Sequence, residues 1–230
     1  MIELHTFPTP NSFKVSIALE EMELPYEIHS VNIARGEQFE PKFLAISPNN
    51  RIPAIVDRDP IGGGEAISLF ESGAILQYLA EKSGRFVPGD LRGRLACTEW
   101  LFWQMAGLGP MVGQAGHFRN YAPEKIEYGI TRYTNEAARL YGVMDKRLAD
   151  HEFLADEYSI ADMACWPWID YHDHHGQKLE DFPNVGRWHT AIDERPGTQR
   201  GKVAGAELAA GMSQGLDEEA KRILFGHGKK

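Results

Sequence analysis

Only two cysteines occur in the 230 residues, Cys97 and Cys165. Neither belongs to a C-x-x-C motif and each lies in an apolar stretch that reads as helix, so a disulfide framework is not indicated and a reducing, cytoplasmic setting is expected. Basic charge is also scarce: 24 Lys and Arg against 33 Asp and Glu leave a net charge of −9. That sign opposes phosphate backbones and anionic membrane surfaces, which removes nucleic acid and membrane from the expected partners. No apolar run approaches the roughly 18 residues needed to span a bilayer. Met1-Ile2-Glu3-Leu4-His5 lacks a basic segment followed by an apolar one, so no export is expected. Repeats at solenoid periods are absent as well. What remains, 43% apolar and 25% charged side chains, is an ordinary core-forming composition that needs neither metal nor disulfide staples.

The pattern divides the chain in two. Residues 2 to 7 alternate as a strand and stop at Pro8-Thr9-Pro10-Asn11. A helix follows, with Val15, Ala18, Leu19 and Met22 at helical spacing beside Lys14, Glu20 and Glu21, and with Asn11 or Ser12 as its N-cap. Tyr26 to Val31 reads as a second strand, and such a β-α-β unit favours a parallel pair. After a polar loop over 34 to 40 and a short helix from Pro41 to Ile46, Ile52 to Asp57 forms a third strand. Gly62-Gly63-Gly64 then turns it into an antiparallel hairpin with residues 66 to 69. A helix from Glu71 to Lys82 ends at Gly84 and closes an α/β domain over 1–84. Residues 91–203 carry helical periodicity without a convincing strand. Within them Ser159-Ile160-Ala161-Asp162 is a capping signal that makes Asp162 structural. The tail, 204–230, is helical or disordered.

Three features converge in the first domain: the turn at 9 to 12, the Ile52-Pro53 step, and Glu71-Ser72 opening a helix. A cis Ile52-Pro53 bond, which proline alone allows cheaply, presents the Ile52 amide and carbonyl as an open edge for a peptide. Backbone donors at the helix start favour a carboxylate, the Ser72 hydroxyl adds a donor, and Glu71 suits an ammonium group. The combination fits an α-amino acid head group.

The run from Ser47-Pro48-Asn49-Asn50 through Arg51-Ile52-Pro53-Ala54, followed by Phe70-Glu71-Ser72-Gly73-Ala74-Ile75, resembles the glutathione-binding half of the cytosolic glutathione transferase family. Pro8-Thr9-Pro10-Asn11, Trp100 to Gln104, Gly107 to Met111, Tyr158 to Asp162 and Trp166-Pro167-Trp168 are similar to its bacterial nu-class branch, itself similar to yeast nitrogen-regulator prion proteins. The resemblance covers about residues 1 to 197. It implies an N-terminal thioredoxin-like domain with a C-terminal helical-bundle domain, a homodimer, and glutathione as co-substrate, reduced or oxidised, with no metal. By position it also implies Glu71 and Ser72 for the γ-glutamyl end, the Ile52 backbone for the cysteinyl unit, and Gln38 and Arg51 for the glycyl carboxylate. Thr9 and Asn11 are implied near the sulfur, and Arg132 over a second glutathione.

The chemistry implied is reduction of small disulfides, with weaker peroxidase or transferase activity. Thiolate is the nucleophile, and a free thiol has a pKa of about 8.5, so neutral donors such as Thr9, Asn11 and a helix N-terminus have to favour the charged sulfur. Many relatives place Tyr, Ser or Cys near this turn, whereas residues 1 to 25 hold no Tyr or Cys. A mixed disulfide on a cysteine of the turn is excluded, and the bound tripeptide must supply the sulfur. Two other functions stay open: a non-catalytic glutathione-binding regulator, and conjugation of glutathione to an organic electrophile. Plainer roles also stay open at single positions. Glu71, Ser72, Thr9 and Asn11 suit turns and caps, and Arg132 suits an ion pair with Glu136 at i,i+4. Trp100, Phe102 and Trp103 read as helical core, Gly107 to Pro110 as a kink or helix end, and His172, His174 and His175 as a solvated face.

Overall fold

The computed structural model describes residues 1–209 and 216–226. Contacts divide them into one unit of Met1–Ser83 with the chain from Gln199 onward, and a second unit of Gly84–Thr198.

In the first unit, β1 (Ile2–Thr6) buries Ile2, Leu4 and Thr6 on one face, the period-2 pattern of its sequence. It pairs in parallel with β2 (Tyr26–Ser30) through α1 (Pro10–Glu21), and antiparallel with β3 (Ala54–Asp57), which pairs antiparallel with β4 (Ile67–Phe70). The order β2-β1-β3-β4 is the mixed sheet of a thioredoxin-like domain. The cap of α1 is Thr9, rather than Asn11 or Ser12, because Pro10 takes the first helical position, where its missing N–H costs nothing. β3 begins at Ala54, immediately after the cis Ile52-Pro53 bond and two residues later than expected.

The short α2 (Pro41–Leu44) sets Phe43 against Val31 and Ala54 in a small core. α3 (Ser72–Ser83) packs on α1 and buries Ile75, Leu76, Leu79 and Ala80. Asp57, fully buried at the end of β3, accepts from Tyr78 Oη at 2.6 Å and pairs with Lys82 Nζ at 2.8 Å.

The second unit is helical: α4 (Leu91–Trp103), α5 (Gly109–Asn120), α6 (Glu127–Leu148), α7 (Ile160–Ile169) and α8 (Pro183–Asp193). A π-helical turn over Gln104–Leu108 joins α4 to α5, where Gly107 to Pro110 suggested a kink. The capping box of α7 is complete. Gly129 of α6 meets Phe118 of α5 so closely that an added Cβ would fall 2.8 Å from the ring. α7 stops at Ile169, and a 3-10 turn covers His172–His175.

The helical unit ends at Thr198, not 203, and the returning chain joins the first unit. In α9 (Pro196–Val203), Gly201 carries no Cβ because one would lie 2.6 Å from the Ile17 Cα, and its carbonyl accepts from Ser16 Oγ at 2.8 Å. α10 (Glu218–Leu224) docks on the turn at Ile33–Arg35, where Arg35 pairs with Asp217 and Glu219 at 2.8 and 3.3 Å. Part of the tail, 210–215 and 227–230, lies outside the described residues. No helix of the described residues is long and apolar enough to cross a membrane.

Candidate active site

The first unit holds a cavity of about 240 Å³ at the meeting of three local structures. The first is the opening turn of α1, where Pro10 and the Thr9 cap start the helix and leave Asn11 lining the cavity. The second is the segment leading into β3. Its backbone turns through Asn50 N to Ser47 O at 2.9 Å, and the buried Ser47 hydroxyl donates to Arg51 O at 2.7 Å. That tie fixes the run Arg51-Ile52-Pro53 along one wall. The third is the start of α3, where Glu71 and Ser72 complete the lining.

Glu71 is the sharpest local feature. Its φ of 69° is left-handed, a conformation that costs a non-glycine residue of order 1 kcal/mol or more and that persists only where the surroundings enforce it. Here the Glu71 carbonyl accepts from Ile75 N at 2.9 Å as the first bond of α3, while Asn49 Nδ2 donates to its carboxylate at 3.4 Å. The carboxylate therefore stands exposed at the cavity mouth, beside a helix start whose amides favour an anion. A negative side chain next to backbone donors is complementary to a zwitterionic amino-acid head group. Arg51, exposed on the opposite segment, adds a cation suited to a second carboxylate.

The structure thus brings Asn11, Arg51, Ile52, Glu71 and Ser72 to one cavity. It places the other three expected residues differently. Thr9 is the helix cap, its hydroxyl oxygen accepting from Ser12 N at 3.4 Å and lying 3.3 Å from Ser12 Oγ. Gln38 is buried and turned into its own loop, where Nε2 donates to Ile33 O at 3.2 Å, so it does not line the cavity. Arg132 lies exposed on α6 of the helical unit. Its expected ion pair with Glu136 is replaced by a two-bond pair between Glu136 and Arg139, at 2.7 and 2.9 Å.

Two residues were missed. Asn49 lines the cavity and was legible only as part of a turn-forming run. Lys14 read as one of the polar residues of α1, yet it is buried with its Nζ 3.5 Å from Ser72 Oγ. In the helical unit, the expectation of a solvated histidine face fails for His175. It is buried 3.4 Å from Tyr141 Oη, and that burial, with the nearby charges of His174, His172 and Arg119, pushes its pKa down to about 3. Phe102 departs from the expected core in the other direction, with 60% of its surface exposed. No group of three or more potential metal ligands occurs among the described residues.

Comparison with known proteins gives the family. The glutathione S-transferase N-terminal domain matches residues 1–81, and the glutathione S-transferase C-terminal domain matches residues 110–196. The disulfide-bond oxidoreductase YfcG of Escherichia coli is 53% identical over 199 residues, covering 86% of this chain and 93% of that protein. A glutathione transferase family member from Pseudomonas fluorescens, solved with two glutathione bound, superposes with a TM-score of 0.82 at 44% identity, over 87% of this chain and 92% of that one. A glutathione transferase from Pseudomonas putida, solved with one glutathione disulfide per subunit, gives 0.82 at 43% identity, over 87% and 90%.

Proposed function

The chain belongs to the glutathione S-transferase family, and from that premise we propose that it is a glutathione-dependent oxidoreductase that reduces small disulfides. The observation that carries this reading is the single cavity shared by Asn11, the Ile52 edge and the Glu71-Ser72 helix start. In it the γ-glutamyl carboxylate meets Ser72 and the first amides of α3, and its ammonium meets Glu71. The cysteinyl backbone pairs with Ile52, and the glycyl carboxylate meets Arg51. Gln38, with its amide nitrogen committed to Ile33 O, is assigned to shaping its loop.

Asn11 is the lining residue at the start of α1 and is assigned to the sulfur. A neutral amide donor and the helix N-terminus both favour thiolate over thiol. The bound thiolate attacks one sulfur of the substrate disulfide, forming a glutathione mixed disulfide and expelling the other sulfur as a thiolate. A second glutathione thiolate then attacks the glutathione sulfur of that mixed disulfide, giving glutathione disulfide and the remaining substrate thiolate. Two electrons pass from two glutathiones to one disulfide, and no protein cysteine takes part. The complexes of the Pseudomonas relatives with two glutathiones and with glutathione disulfide support this stoichiometry.

Assembly as a homodimer belongs to the same reading. Leu91, Leu95 and Phe102 stand 63, 54 and 60% exposed along α4. An apolar stripe of this kind is uncommon on a monomer surface and suits a second copy of the chain. The buried, unbridged Cys97 and Cys165 support a cytoplasmic location.

Turnover of hydroxyethyl disulfide with glutathione, followed by coupled NADPH oxidation with glutathione reductase, tests the function. A folded protein that binds glutathione without turnover would instead be a regulator. Faster reaction with a halogenated electrophile than with any disulfide would make it a conjugating enzyme.

A further inference from the structure

Lys14 is only 1% exposed, an unusual place for an ammonium group. It sits one turn beyond Asn11 on the same side of α1, and α1 packs directly on α3. Its Nζ reaches Ser72 Oγ at 3.5 Å, and Ser72 is the residue through which α3 lines the cavity. A methionine or leucine would fill such a position without the desolvation that a buried charge entails. The contact with Ser72 gives that buried nitrogen a role at the cavity wall.

An ammonium nitrogen only donates hydrogen bonds. Its contact with Ser72 makes the hydroxyl oxygen the acceptor and directs the hydroxyl's own proton away from Lys14. A positive nitrogen facing that oxygen also polarises the hydroxyl, which makes it a better donor to an anion. We infer that Lys14 is a positioning residue for the carboxylate of a γ-glutamyl ligand, acting through the orientation and polarity of the Ser72 hydroxyl. The inference rests on the function proposed above and extends it to a residue that does not line the cavity.

Selectivity for the carboxylate tests it. Glutathione is compared with 4-aminobutyryl-cysteinyl-glycine, which lacks only the γ-glutamyl α-carboxylate, by calorimetry on the full chain and on its K14M, K14Q and S72A variants. Wild type is expected to bind glutathione more tightly than the analogue. K14M, K14Q and S72A are each expected to weaken glutathione about tenfold, the scale of one hydrogen bond to a charged group, while leaving the analogue within about twofold. Combining K14M with S72A should weaken glutathione little beyond S72A alone, because both remove the same contact.

Equal weakening of both ligands by the lysine variants overturns the inference, since a general packing defect does not distinguish them. An unchanged ratio of the two affinities overturns it as well, as does failure of both lysine variants to fold, which would make Lys14 part of the core. If wild type binds neither ligand, the proposed function itself falls and takes the inference with it.

Discussion

Trp188 Nε1 donates to Asp162 Oδ1 at 2.8 Å inside the helical unit, where both residues are fully buried. The same carboxylate accepts from Leu154 N at 3.0 Å and from Ser159 N and Oγ at 3.0 and 3.1 Å, so one side chain holds α7, α8 and the segment before α7 together. Burial outweighs these four donors and raises its pKa to about 6. The capping role expected from Ser159 and Asp162 is present, and the tertiary fold adds two further donors to it.

Asp162→Asn is expected to lower unfolding stability by about 3 kcal/mol, because an amide offers one acceptor oxygen where four donors converge. Urea denaturation at pH 7 measures this. A loss below about 0.5 kcal/mol would show that the network contributes little.

His175 sets an acid limit. Its folded pKa of about 3 lies below the unfolded value of about 6.5, so between those values the unfolded chain binds the extra proton. Stability is then complete above about pH 6.5 and falls as the solution is acidified, by about 2 kcal/mol at pH 5. Unfolding of wild type and His175→Gln at pH 7.5 and pH 5 isolates the term. The variant should show a correspondingly smaller difference between the two pH values.

Asn11 and Thr9 separate by readout. Asn11→Ala should raise the thiol pKa of bound glutathione toward the free value of about 8.5, and should slow disulfide reduction at pH 7 by about tenfold. Thr9→Ala should cost about 1 kcal/mol of stability through the lost cap, with a smaller change in thiol pKa. Ultraviolet titration of the thiolate against thermal unfolding distinguishes the two. An unshifted thiol in Asn11→Ala removes that residue from the sulfur.

On α4, Leu95→Glu puts a charge into the exposed apolar stripe. Sedimentation equilibrium should show wild type as a dimer and the variant shifted to monomer by at least tenfold in dissociation constant, the effect of roughly 1.4 kcal/mol. A monomeric wild type at micromolar concentration would leave the stripe without its assigned partner.

The amino-acid sequence by itself determined the local pieces: the alternation of β1, the turn into α1, the Ile52-Pro53 step, the glycine hairpin and the Glu71-Ser72 helix start. Each depends on the chemistry of a few adjacent residues; their convergence pointed to the 9–12 turn, Ile52, Glu71 and Ser72, and the family resemblance they carry implied Asn11. Only the tertiary structure decided which faces are covered. Lys14 reads as polar surface until α3 packs over it, and Gln38 reads as a reaching loop residue until its amide finds Ile33 O. Phe102 reads as core although the described chain leaves most of it exposed, and α10 meets the turn at Arg35, distant in sequence, through Asp217 and Glu219. The physical reason is common to all four: periodicity records which residues share a face, whereas burial depends on another part of the chain arriving there.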